Sequence, residues 1–384
     1  MPRRMASKER LLTAINHSEP DFVPVSPRIH VWLKDNYGCS CWLHELRAAE
    51  DFDYDPLFYL PSPYPNYIGD LRAPCEDLVD VHITLDIERF DTYTHIRRTI
   101  HTPAGMLNDR IIQHKPNAGY GSEPNPHWQE RLVKGPKDLE TLAFLLPKPD
   151  PSAYRDVVAI QETIGERGLV NLYINSALDH QAGWAFEVVD MMVACYDNPE
   201  FVHDLLRLFQ DHTLAETRAA LEAGVEVIFV PWYFASISAG WSPPLFGTFF
   251  LPLIKEHVDL VHDMGGLYHY YDDGAVNRIL PWLADAEVDI LSTAPPPPIG
   301  DVDLAQAKAE FGDSICFNGN VDLLNVIKDG TPEFIRQTVR QLILDAAPGG
   351  GFILGTSDSI RDADLANVRA YFEAARTYGD YSLL

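Results

Sequence analysis

The sequence predicts an α/β fold, a (β/α)8 TIM barrel, and three observations predict it. After Pro151, short apolar runs alternate with helical segments six times, the rhythm of a parallel sheet with crossover helices. Two further apolar runs, "FVPVSPRI" and "DPLFYL", precede Pro151. No strand is followed by a G-x-G-x-x-G loop, which argues against a doubly wound sheet that binds phosphate at its first turn.

Each element follows from the residues in turn. Residues 5–17 place Leu11, Leu12 and Ile15 on one face of a helix, with Ser7 as its cap; Pro20 and Pro24 end it. "FVPVSPRI" reads as a first buried strand and residues 55–60 as a second. Between 77 and 135 polar and apolar residues alternate around a "TPAG" turn, the pattern of antiparallel hairpins. This region is expected as an insertion within a single domain spanning 1–384, and the Pro/Gly/Asn-rich stretch 115–128 as a mobile loop. Helices are then expected near 154–166, 184–195, 199–223, 244–264, 276–284, 303–310, 332–346 and 362–378. Strands are expected at 169–176, 225–232, 267–273, 288–295, 314–320 and 351–358.

The chain has 384 residues, 46% of them hydrophobic, and a formal charge of -26 from 30 Lys+Arg against 56 Asp+Glu. A surface this acidic repels phosphate backbones and anionic lipid, so neither nucleic acid nor membrane is an expected partner. No run reaches the length of a membrane span, and the basic residues Arg3, Arg4, Lys8 and Arg10 have no apolar segment behind them. Five scattered cysteines, Cys39, Cys41, Cys75, Cys195 and Cys316, suit reduced thiols and a cytoplasmic setting. Cys39 and Cys41 form a C-x-C with no second pair, a weak metal signal. A homodimer is compatible with the sequence.

Barrel chemistry sits at the carboxyl ends of the strands, and reading those ends selects candidates by topology. They are His30; Asn175, Asp179 and His180; Trp232 and Tyr233; Asp272 and Asp273; Thr293; Asn318 and Asn320; Ser357 and Asp358. Each has an ordinary structural reading beside the functional one. Asp272-Asp273-Gly274 is also a turn or a helix cap. His269, mid-strand, is more simply a satisfied wall histidine, and Trp232 and Tyr233 serve equally as core or pocket wall.

Several stretches together resemble the uroporphyrinogen decarboxylase superfamily, which includes the decarboxylase and corrinoid-linked methyltransferases. They are "SKERLLTAINHSEPDFVPV", the segment "EAGVEVIFVPWYFASISAGW" with its continuation to Gly266, "FNGNVD" and "GGGFILGTSDSI". The resemblance implies a (β/α)8 barrel. The decarboxylase pattern carries paired arginines after the first strand, whereas "SPRIHVWLKDNYG" has Arg28 alone, poorly matched to a polycarboxylate. The methyltransferase branch has His-x-Cys-Gly and a later Cys as zinc ligands. Here Tyr271, Asp273 and Asp358 fall at those positions, so the thiolate site is absent and an oxygen-rich one, with His269 or His30, takes its place.

The resemblance thus implies a methyltransferase that moves a methyl group from a small methoxylated or methylated substrate to a corrinoid protein. The alternative is a metal-independent decarboxylase or lyase of a small organic acid. Asp273, Asp358, Tyr271 and His30 are the expected catalytic groups. Arg28, Trp32, Trp232, Tyr233, Asn318, Asn320 and His180 are expected to bind substrate. A divalent metal, zinc first, would be held by Asp273, Asp358, Tyr271 and His269, or the carboxylates do acid/base work without one. The corrinoid would be carried by a partner protein.

Overall fold

Pro24 and Pro27 decide how the barrel begins. Proline has no N–H to give to a ladder, and "FVPVSPRI" forms no strand: it makes a single parallel bridge, Val25 to Leu354. The sequence expectation of a first strand there is corrected accordingly. The computed structural model describes residues 5–69, 78–119 and 124–384. Arg3, Arg4, Cys75 and the centre of the 115–128 loop lie outside the described residues.

The chain separates into two compact units. The first, Met1–Ser62, Pro151–Ile174 and Thr217–Leu384, holds a seven-stranded parallel sheet. Its strands are β1 (Leu57–Pro61), β6 (Leu169–Tyr173), β7 (Val227–Pro231), β8 (Leu267–Asp272), β9 (Ile290–Thr293), β10 (Cys316–Val321) and β11 (Phe352–Thr356). They lie side by side in chain order, as right-handed β-α-β crossovers require. The ladder stops at seven. Segment Pro24–Ser26 occupies the eighth position through individual bonds: Leu354 N to Pro24 O, Ser26 N to Leu354 O and Asp55 N to Val25 O, each 2.8 Å. Arg10 fixes this edge by pairing with Asp21 (2.7 Å) and Asp55 (2.5 Å), and Asp55 also accepts from Val25 N. The parallel barrel architecture is therefore present with its sheet not fully closed.

Apolar residues at the starts of the strands make the floor. Leu57, Leu169, Val227, Ile290, Cys316 and Ile353 pack on Leu11, Ala14 and Ile15, the apolar stripe of helix Ser7–Ile15. Burial of such a stripe is what stabilises an otherwise short helix. Ser7 is its first residue and makes no cap; Ala6 holds that position without a side-chain bond. The expected helix 244–264 is two, Pro243–Phe249 and Leu251–Asp263, broken where Pro252 cannot donate backward. Helices His30–Tyr37 and Trp42–Phe52 carry too short or too mixed a pattern to be read from the sequence.

The second unit, Pro63–Asp150 with Asn175–Glu216, contains the antiparallel sheet expected in 77–135. Strands β2 (His82–Arg89), β3 (Tyr93–Thr102), β4 (Gly105–His114) and β5 (His127–Glu130) follow one another in order. One face buries Ile100, Leu107, Ile111 and Trp128. At its centre Arg98 stands opposite Asp109. The guanidinium donates to both carboxylate oxygens (3.2 and 2.6 Å) and to the carbonyls of Tyr67 and Ile68 (2.8 Å each). Trp128 Nε1 donates to the same carboxylate. Among the described residues no helix is long and apolar enough to cross a membrane.

Candidate functional site

Alternate residues on a strand share a face, so the face that buries the floor continues upward through Tyr59, Asn171, Phe229, His269 and Ser292. These residues touch. His269 Nδ1 lies 3.1 Å from Asn171 Oδ1 and its Nε2 lies 2.7 Å from Ser292 Oγ. The Tyr59 and Phe229 rings meet edge to face at 4.9 Å. Burial pushes the His269 pKa down to about 3, helped by the charge on Arg28, so the ring stays neutral. Both ring nitrogens of His269 are thus engaged on the wall.

At the top of this face the answer to the Asp272-Asp273 pair emerges. Asp272, fully buried at the end of β8, accepts from Gly274 N at 2.8 Å and is the turn residue. Burial raises its pKa to about 8. Asp273 turns the other way. Tyr271 Oη lies 3.2 Å from Asp273 Oδ2 and 3.3 Å from Asp358 Oδ1, so one phenolic proton serves two carboxyls. Burial raises the pKa of Asp273, and the charge of Asp358 raises it further, the behaviour of carboxylates sharing a site.

Arg28 completes the cluster. Its guanidinium carbon lies 4.3 Å from the centre of the Tyr271 ring, with Tyr59 at 5.5 Å and Phe229 at 5.9 Å. Nη1 stands 3.5 Å from Asp358 Oδ1, an ion-pair distance without hydrogen-bond geometry. Nε and Nη1 are both buried with no hydrogen-bond partner. Burial opposes its charge, but the neighbouring phenols and Asp358 outweigh that and hold its pKa above the ordinary value. Nearby, Asn171 Nδ2, Asn318 Oδ1 and Asn320 Oδ1 are also buried without partners. Asn320 is oriented by its Nδ2, which donates to Ala294 O.

The other expected residues divide. Tyr233 stands edge-on to Tyr271 with ring centres 6.2 Å apart. His30 opens helix His30–Tyr37 and its Nδ1 is 3.4 Å from Ser359 Oγ, beside Asp358 in the chain. Trp232 is fully buried, donates to Tyr268 Oη at 3.0 Å and packs near Phe250. Trp32 donates to Ala363 O and lines a different cavity with Tyr37 and Phe52. His180 belongs to the second unit, its ring 4.2 Å from that of Trp184, and burial lowers its pKa to about 4. Tyr59, Asn171, Phe229 and Ser292 were missed. Their signal was the period-two register of the strands, which the strand-end reading did not follow downward.

The donor set does not fit the zinc that the resemblance implies. Arg28 already faces Asp358 and Tyr271 with a fixed positive charge, and a second cation there would meet repulsion. His269 is engaged elsewhere. Among the described residues, three His, Cys, Asp or Glu ligand atoms converge at Cys39, Cys41 and His44, and not at the aspartates.

The family model for uroporphyrinogen decarboxylase (URO-D) matches residues 186–378, half of the chain, and the chain belongs to this family. The uroporphyrinogen decarboxylase of Trichodesmium erythraeum is 26% identical over 181 residues, covering 46% of this chain and 48% of the relative. That of Chlorobium phaeobacteroides is 27% identical over 190 residues, covering 46% and 49%. The chain thus spans about half the length of the curated relatives it matches. Among solved structures, a methyltransferase from Methanosarcina mazei superposes with a TM-score of 0.64 over 98% of this chain and 99% of its own, at 16% identity. That likeness is one of fold.

Proposed function

We propose that this member of the uroporphyrinogen decarboxylase family performs general-acid chemistry on a small carboxylate-bearing substrate, releasing CO2. The observation that carries this reading is Arg28, whose buried Nε and Nη1 have no hydrogen-bond partner and leave charged donors over for an anionic group such as a carboxylate. One arginine suits a small acid better than a polycarboxylate. When the carbon–carboxyl bond breaks, its electron pair stays on the substrate carbon. Asp273, whose hold on its proton burial and the charge of Asp358 strengthen, delivers a proton there. Tyr271 holds the Asp273 carboxyl in place, and the rings of Tyr59, Phe229 and Tyr233 exclude water.

A second reading, methyl transfer to a corrinoid protein, is favoured by the same protonatable Asp273 beside aromatic walls. Asp273 would protonate the oxygen that leaves a methoxylated substrate while a reduced corrinoid on a partner protein accepts the methyl group. Arg28 has no required role in that reaction, which separates the two. The test offers a panel of small carboxylic acids, followed by CO2 release, and a panel of methyl ethers with cob(I)alamin, followed by its absorbance. Substrate-dependent CO2 release that is lost in Arg28→Met supports the first reading. Methyl transfer that survives in Arg28→Met overturns it in favour of the second.

A further inference from the structure

The loop between helices His30–Tyr37 and Trp42–Phe52 carries chemistry that the barrel site does not use. Gly38, at φ +84°, ends the first helix, and Cys39, Ser40 and Cys41 follow. Cys41 is the N-cap of the second helix, with extended φ/ψ of -82° and 157°. His44 is the third residue of that helix, the position from which a side chain reaches back over the cap. Consequently the two sulfurs and a ring nitrogen of His44 lie within 4.8 Å of one another. Tetrahedral zinc needs such a spread, because bonds of about 2.3 Å to sulfur and about 2.0 Å to nitrogen set ligand atoms roughly 3.5–4 Å apart.

Two independent features prepare these atoms for a cation. His44 Nδ1 is buried and has no hydrogen-bond partner, although a buried ring nitrogen is nearly always satisfied. Cys39 Sγ accepts from Cys41 N at 3.1 Å, which holds one sulfur beside the N-cap that carries the other. Both cysteines are free thiols and all three residues are half-buried, so an ion can enter and its fourth position stays open to solvent.

We propose that Cys39, Cys41 and His44 bind one thiophilic divalent cation, zinc by preference, and that the ion staples helix His30–Tyr37 to helix Trp42–Phe52. These helices supply Trp32, Asn36, Tyr37, Arg47, Asp51 and Phe52 to a cavity of about 940 Å³, and the first of them begins with His30. Binding displaces protons from the thiols, so it weakens as pH falls.

The experiment uses the full chain, reduced and stripped with chelator, then dialysed against buffered zinc and, separately, cobalt(II). One equivalent of zinc, with a cobalt spectrum showing thiolate charge transfer and tetrahedral d–d bands, is expected. Cys41→Ser and His44→Ala should weaken zinc at least about tenfold and abolish the charge-transfer band or shift it. Asp273→Asn should leave both unchanged. Thermal melts report folding of each variant: zinc should raise the transition of the wild type and not that of Cys41→Ser. The inference is overturned if zinc stoichiometry survives in the Cys39→Ser/Cys41→Ser double variant, or is lost in Asp273→Asn. It is equally overturned if the reduced wild type binds no zinc.

Discussion

Arg98 in the antiparallel sheet and Arg28 at the mouth of the parallel one both stand largely out of water beside an aspartate, with opposite bonding. Arg98 donates to both oxygens of Asp109 and to two carbonyls. Arg28 makes an ion pair at 3.5 Å and leaves Nε and Nη1 without partners. A buried charge each of whose nitrogens donates holds a structure together; one whose donors are left over is built to meet something else. The two units therefore separate a structural from a receptive use of the same residue pair.

The largest effect that would break this contrast concerns stability. Removing one partner of a fully buried pair costs about 3–5 kcal/mol, so Arg98→Met should lower the unfolding free energy measured in urea by that much. Arg28→Met should stay within about 1 kcal/mol of the wild type. It loses a desolvated cation–π contact worth about 2 kcal/mol but removes two unsatisfied buried N–H groups that offset it. Equal destabilisation of the two variants would mean that Arg28 is structural after all.

Turnover sharpens the contrast next. Asp273→Asn should reduce kcat by about 10²–10⁴-fold, the usual weight of a positioned acid, without loss of stability. Unchanged turnover in a folded variant would remove Asp273 from the chemistry.

The pH dependence follows with its sign. Asp273 has a raised folded pKa, so it acts as an acid at low pH, and kcat should fall as pH rises through that value. Asp272 is raised from 3.8 to about 8 by burial. The stability it contributes is fully present below 3.8 and is lost as pH rises through about 8. Asp272→Asn keeps the bond from Gly274 N and should flatten that stretch of a Tm-versus-pH curve. A curve identical to that of the wild type would show the group to be unperturbed.

The smallest effect serves as the control. Arg110 pairs with Glu130 at 2.9 Å across strands of the second unit, with side chains 55% and 33% exposed. Exposed pairs contribute at most about 1 kcal/mol, so Arg110→Ala should barely move the urea midpoint that Arg98→Met moves strongly. A large loss here would make the sheet itself fragile and void the comparison.

Much of the scaffold was legible because periodicity is local. The six strands after Pro151 fall where their apolar runs predicted, from Leu169–Tyr173 to Phe352–Thr356, and the hairpin pattern in 77–135 forms its antiparallel sheet. The segment around Pro24 misled because its hydrophobicity was read without the missing amides. For the site, topology selected Asp273 and Asp358, the family resemblance added Tyr271 and Arg28, and these four lie together. It could not separate them from Trp232 or His269, whose neighbours Tyr268, Asn171 and Ser292 come from the same and other strands by register alone.

By itself the sequence determined the βα rhythm, the inserted hairpins and a set of carboxylates at strand ends, since each depends on neighbours a few residues apart. Only the tertiary structure decided which aspartate of 272–273 caps the turn and which enters the site. It also decided that a guanidinium, and not a metal's ligand set, faces the carboxylates, and that His44 joins two cysteines. Those outcomes depend on side-chain direction and on contacts between residues such as Arg28 and Asp358, far apart along the chain. A one-dimensional pattern carries no information about which side chains will converge at that range.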